Sequence, residues 1–147
     1  MTQDYISIIN ELNKAIIKVR GTYSLWSGLH NISYNEMLVL YTIREYGFCT
    51  QKQICDDYLL PRQTIHNVIS KMRKENILCP EPRRHIGREK AFVLTEYGKE
   101  YAEKFISSLS EMETHAISLT GMQKLEELLQ LLSEHEQALR LAMKETE

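Results

Sequence analysis

A mainly α fold follows from three features of the 147-residue chain. Both ends carry apolar residues at helical spacing and lack proline. All three prolines (Pro61, Pro80, Pro82) fall in the middle, and a short β-type segment, Ala91-Phe92-Val93-Leu94, follows them. Helical periodicity sustained over many residues is the strongest local signal of secondary structure, and proline clusters mark where it breaks. With 43% apolar and 26% charged residues, the composition suits a single domain that buries a core. The longest useful apolar run, Met37 to Tyr41, falls far short of the roughly 18 residues of a membrane span. Asp4 and Glu11 make the start of the chain unlike a signal peptide. Cys49, Cys55 and Cys79 form an odd set without a CxxC pair, which fits a reducing, cytoplasmic setting and neither a disulfide framework nor a cysteine zinc site.

From the N-terminus, Tyr5, Ile9, Leu12, Ile16, Val19, Tyr23 and Trp26 alternate steps of four and three, predicting one long amphipathic helix over 4–28. Ser33-Tyr34-Asn35-Glu36 has the pattern of a capping box opening a helix to about Tyr46, which Gly47 ends. Thr50 caps a short helix from Gln51 to about Tyr58, and Leu59-Leu60 turn the chain. Pro61 suits the first turn of a third helix reaching about Glu75, with Ile65, Val68, Ile69 and Met72 on its buried face. Ile77–Cys79 and Lys90–Leu94 read as two strands, joined by a loop that contains Pro80, Pro82 and Gly87. Thr95 caps the next helix, with Phe105, Leu109, Met112 and Ile117 on its apolar side, and Thr120-Gly121 break it. Met122, Leu125, Leu129, Leu132, Leu139 and Met143, widened by Leu128 and Leu131, form a final stripe. Two long amphipathic ends cannot both bury their stripes against a small middle, which favours pairing across a homodimer over a monomeric bundle.

Charge is unevenly spread. Residues 61–90 hold eight basic and three acidic side chains, whereas the whole chain carries a net −2. A basic block inside an acidic chain is the footprint of a nucleic-acid contact, although a solvated charged face gives the same count. Helix, tight turn, helix and arginine-rich hairpin together make a winged helix-turn-helix. In such a unit the third helix enters the DNA major groove, where base edges carry the sequence code. The preceding helix, opening at Thr50 and Gln51, aims its N-terminal amides at a phosphate. Arg62, Gln63, Thr64, His66, Asn67 and Ser70 face the groove with Lys71 alongside. Arg62, Gln63 and Asn67 are the side-chain types that read guanine or adenine by paired hydrogen bonds. In the wing, Arg83, Arg84, His85, Arg88 and Lys90 suit the backbone or the minor groove.

Thr50-Gln51-Lys52-Gln53-Ile54-Cys55, with Gln63 through Met72, resembles the helix-turn-helix of MarR-type (multiple antibiotic resistance) transcriptional regulators. Gly87-Arg88-Glu89-Lys90-Ala91-Phe92-Val93-Leu94-Thr95-Glu96-Tyr97-Gly98 resembles their second wing strand with its Leu-Thr-x-x-Gly ending. Length, helix order and long terminal helices match as well. The resemblance implies a mainly α fold: a winged helix-turn-helix DNA-binding lobe at 31–96, with long N- and C-terminal helices, 1–30 and 97–147, forming a dimerisation lobe. It further implies a homodimeric repressor on a pseudo-palindromic double-stranded operator, released in many members by a small phenolic or amphipathic effector or by an oxidant. There are departures. Ile86 stands where the family usually has an Asp that fixes the hairpin, which predicts a looser wing. Asn76 and Leu59 replace usual glycines. Pro61 replaces the usual Ser or Thr cap of the recognition helix, a loss of about 1 kcal/mol.

The resemblance places an effector pocket between the DNA-binding lobe and the dimer helices, where Tyr23, Trp26, His30, Met37, Tyr41 and Phe105 are candidate lining residues. The same stripe also reads as ordinary core. A thiol sensor needs an exposed, electropositive cysteine. Cys55 reads as core, Cys49 is ambiguous, Cys79 adjoins the basic hairpin, and none lies in the first helix, where the family's peroxide sensors keep theirs. The histidines are scattered, and His115 with Glu111 lacks a third partner, so neither metal nor cofactor is expected. No phosphate loop, GxSxG or HExxH is present, and no enzyme activity is expected. Two other readings stay open: a winged helix that binds protein and not DNA, and a thiol redox-sensing regulator.

Overall fold

The computed structural model describes residues 2–147, which fall into two compact units, the first ending at Ile106 and the second Ser107–Glu147. The first unit contains α1 (Thr2–Leu29), α2 (Tyr34–Tyr46), β1 (Cys49–Thr50), α3 (Gln51–Tyr58), α4 (Arg62–Lys74), β2 (Leu78–Pro80) and β3 (Ala91–Leu94). Helix α5 (Glu96–Thr120) begins in the first unit and ends in the second, and α6 (Met122–Glu145) completes the chain. The expected mainly α winged helix-turn-helix, flanked by long terminal helices, is the observed fold.

Local chemistry sets the boundaries. The capping box of α2 is complete: Glu36 N–H donates to Ser33 Oγ at 3.1 Å, and Ser33 N–H donates to Glu36 Oε2 at 2.8 Å. Helix α3 has the same device in Thr50 and Gln53, at 3.0 and 3.2 Å. Pro61 takes the position of the replaced Ser or Thr cap and not the first-turn position that its ring also suits. It makes no side-chain cap bond because it has no acceptor to offer. At the other end of α4, Asn76 adopts φ 61°, with its N–H on the Arg73 carbonyl and the Ile77 N–H on that of Met72. This paired closure suits an Asn in the left-handed conformation. It draws Ile77 into the helix exit, so β2 starts one residue later than the sequence suggests.

The core of this unit is formed by Met37, Leu38, Val39 and Leu40 of α2, Ile54 of α3, Ile65, Ile69 and Met72 of α4, and Phe92 of β3. Val68, expected inside, is only half-buried: it flanks the buried row of α4 while Ile65, Ile69 and Met72 occupy its centre. The sheet has the order β1-β3-β2, all antiparallel, with Cys49 opposite Phe92 and Cys79 opposite Val93. The two-residue β1 has too short a signal to read in the sequence. Pro80 ends the edge strand β2, where a missing N–H leaves no ladder bond unmade.

Gly98 explains the Leu-Thr-x-x-Gly pattern. Thr95 N–H donates to the Ile77 carbonyl at 3.0 Å, Thr95 Oγ1 donates to that of Asn76 at 2.6 Å, and Gly98 N–H donates to Thr95 Oγ1 at 2.8 Å. The start of α5 is thereby pulled so close that a Cβ on residue 98 would lie 2.1 Å from the Ile77 oxygen. In the second unit, α5 ends at Thr120 and Gly121 (φ 100°) separates it from α6. Leu128, Leu129, Leu131, Leu139, Leu141 and Met143 of α6 are exposed in the single chain. So, within the first unit, are Tyr5, Ile9, Ile16, Ile17 and Val19 of α1.

Candidate nucleic-acid interface

Helix α4 packs Ile65, Ile69 and Met72 inward, which turns the positions between them outward. Arg62, Gln63, His66 and Asn67 are exposed, and Thr64 and Ser70 are half-buried at the edges of the face. The polar side chains are already ordered among themselves. Gln63 Nε2 donates to Asn67 Oδ1 at 2.8 Å, and Gln51 Nε2 lies 3.0 Å from His66 Nδ1. Thr50 is buried with its hydroxyl engaged in the cap of α3, so of the two positions opening α3 it is Gln51 that offers a side chain.

Lys71 turns the other way. Its ammonium lies 2.5 Å from Glu36 Oε1 and 3.3 Å from Glu75 Oε1, tying α4 to the cap of α2. Burial pushes the Glu36 carboxyl up, but the bonds from Lys71 and the Ser33 N–H outweigh this and hold it below its ordinary value. The hydrogen bond to Glu36 in turn raises the Lys71 ammonium. This pair is long-range in sequence and carries no local signal.

The wing leaves β2 through a 3-10 turn, Pro82–Arg84, and reverses between Ile86 and Glu89, which exchange backbone bonds of 3.0 and 2.9 Å. Gly87 holds φ 59° in this reversal, as tight two-residue hairpins require. Arg83, Arg84, Arg88 and Lys90 are exposed, and His85 is half-buried. Arg84 also covers the Phe48 ring at 5.0 Å. The expected loosening at Ile86 is offset from an unforeseen quarter. Glu89 Oε1 accepts the Lys52 N–H at 2.8 Å, and Oε2 accepts from Arg62 at 3.3 Å, so one carboxylate joins the wing to both α3 and α4. An acid inside a basic hairpin was the available clue. Gln51, Arg62, His66, Ser70, Arg73, Arg88 and Lys90 surround the resulting cleft of about 210 Å³.

Among the candidate effector residues, Tyr23, Met37 and Tyr41 share a cleft of about 220 Å³, completed by Tyr34, Leu38 and Tyr58. Tyr34 and Tyr58 lie outside the periodic stripe that drew attention to the others. Trp26 is buried and stacked on His30 at 4.1 Å, and Phe105 packs on Tyr101 at 4.9 Å; these three do not line the cleft. Burial pushes the Cys49 thiol up to about 12 and raises that of Cys55, contrary to what a thiolate sensor needs. Cys79 is half-buried in β2.

A short capped helix, a turn, an outward-reading helix and an arginine-tipped hairpin define the class: a winged helix-turn-helix protein. More particularly, the chain has the fold of MarR family transcriptional regulators. A MarR family regulator from Neisseria meningitidis superposes with a TM-score of 0.85 at 24% identity, over 95% of this chain and 98% of that one. The MepR–DNA complex of Staphylococcus aureus gives 0.66 at 17% identity, over 88% and 96%. The MarR protein of Staphylococcus aureus in complex with salicylate and kanamycin gives 0.66 at 17%, over 92% and 95%. No protein-family model and no curated protein matches the chain in sequence.

Proposed function

We propose that this protein is a sequence-specific, DNA-binding transcriptional regulator. It acts in the cytoplasm as a homodimeric repressor on a pseudo-palindromic operator and is not an enzyme. The observation that carries this reading is the outward face of α4, where Arg62, Gln63, His66 and Asn67 stand exposed beside a wing ending in Arg88. Residues 31–96 then form the reading lobe, and 1–30 with 97–147 supply the dimer. Support for the dimer comes from the exposed apolar faces of α1 and α6, each a surface that water disfavours. In a dimer, two α4 helices about 34 Å apart would each meet one half-site.

The tyrosine-lined cleft under Tyr23 and Tyr41 supports a small phenolic or amphipathic effector. Its walls are aromatic, leucine and methionine side chains, the mainly apolar lining that such a ligand needs. A salicylate complex is known for one protein of similar fold.

The test is a salt titration of affinity for a mixed-sequence duplex, with sedimentation to fix the oligomer. A dimer whose log K falls steeply with log salt, and whose slope shrinks by about one in Arg88→Ala, supports the reading. A dimer without affinity at low salt overturns it and favours a protein-interaction module.

A further inference from the structure

Glu89 is an acidic group at the centre of a basic surface, and its two oxygens are spent on two groups that DNA would otherwise use. One is the Lys52 N–H in the first turn of α3, at 2.8 Å, and the other is the Arg62 guanidinium at 3.3 Å. The Glu89 side chain is only 20% exposed, against 62% for Arg62, so the carboxylate sits beneath the guanidinium and not beyond it. A carboxylate is favourable at the start of a helix, where unpaired N–H groups concentrate positive potential. A DNA phosphate at the same amide would stand within a few ångströms of that carboxylate, and two such anions repel.

From this geometry we propose that Glu89 is a specificity-determining residue that acts as an internal competitor of DNA. It holds Arg62 and the first turn of α3 unless a matched site displaces it. This rests on the DNA-binding reading above. A guanine offers Arg62 two parallel hydrogen bonds, more than the single bond it makes with Glu89. Other bases and loosely placed phosphates offer less, so the intramolecular pair persists and non-specific binding is weakened. Specificity then arises as a penalty against wrong sequences as well as a gain on the right one.

The experiment uses the full chain with Glu89→Gln, Glu89→Ala and Asp56→Asn. Gln retains an oxygen for the Lys52 N–H and so keeps the wing anchored while removing the charge. Asp56, paired with Lys52 Nζ on the same helix, controls for the loss of one negative charge near DNA. Affinity is read by fluorescence anisotropy, over a salt series, on a mixed-sequence duplex and on duplexes selected from that pool by the wild type. Both Glu89 variants are expected to bind the mixed duplex several-fold tighter than wild type and more than Asp56→Asn does. In Glu89→Ala, which frees the Lys52 N–H, the salt slope should be steeper by about one, because one more phosphate is engaged, and in both variants the preference for selected over mixed sequence should be narrower. The Lys52 amide resonance should respond to inorganic phosphate in Glu89→Ala and not in wild type. If Glu89→Gln tracks wild type or Asp56→Asn, or if Glu89→Ala binds more weakly with an unmoved Lys52 amide, the competitor is overturned and Glu89 is a strut of the wing. Absence of DNA affinity in every form at low salt sinks the DNA-binding reading, and the competitor with it.

Discussion

Arg62 and Lys71 stand on one helix and nine residues apart, yet they do different work. Arg62 lies on the outward face, so Arg62→Ala is expected to reduce affinity for a selected duplex by about 1–3 kcal/mol and to relax preference at one base pair. Binding to a panel of single-substituted duplexes measures this. Lys71 instead completes a buried carboxylate. The Glu36 carboxyl is held below its ordinary value of 4.5. Its contribution to stability is therefore complete above that pH and drains away as acid reaches the depressed folded value. Glu36→Gln keeps an acceptor for the Ser33 N–H but loses the ion pair. It should be less stable by about 1–3 kcal/mol near neutrality, with the gap closing as pH falls below 4.5. Urea midpoints across pH provide the check, and a gap that stays constant into acid would refute the pairing.

Most elements were readable because their determinants are local. Ser33 with Glu36, and Thr50 alone, announce helix starts, and Asn76 announces a left-handed exit. The contacts that position the site are between segments far apart in sequence: Glu36 with Lys71, Glu89 with Lys52 and Arg62, Tyr58 beside Tyr23. Nothing in periodicity or composition ties such partners together, so the faces of the site were legible and their internal wiring was not. Gly98 shows what the two kinds of determinant do together. In an ordinary helix Gly→Ala stabilises by about 0.5–1 kcal/mol. Here the added methyl meets the Ile77 carbonyl, so Gly98→Ala should destabilise by about 1–3 kcal/mol and lower the melting temperature. A higher melting temperature would mean that the two segments are not in contact. Leu59 ends α3 at φ 50° with its side chain largely exposed. Leu59→Gly should relieve that conformation at little loss of packing, stabilising by up to about 1 kcal/mol in the same melts.

For the molecule as a whole, the prediction concerns association. Ile16 of α1 and Leu129 of α6 lie on exposed apolar faces. An aspartate at either is expected to leave the winged unit folded by circular dichroism while shifting sedimentation toward the monomer and abolishing high-affinity binding to a two-half-site duplex. A variant that remains dimeric would place the interface elsewhere.

The engagement of Lys71 with Glu36 has a kinetic corollary. A cation paired with a carboxylate makes a neutral pair whose field falls off faster with distance than that of a free charge, so it contributes little to drawing in a polyanion from afar. On the proposed DNA-binding reading, α4 would approach a duplex with less long-range pull than its count of lysines and arginines implies. Replacing Lys71 by Ala should therefore change the association rate and its salt dependence less than replacing Arg88 does. The lifetime of the complex, set by contacts made after docking, is then where partners are told apart.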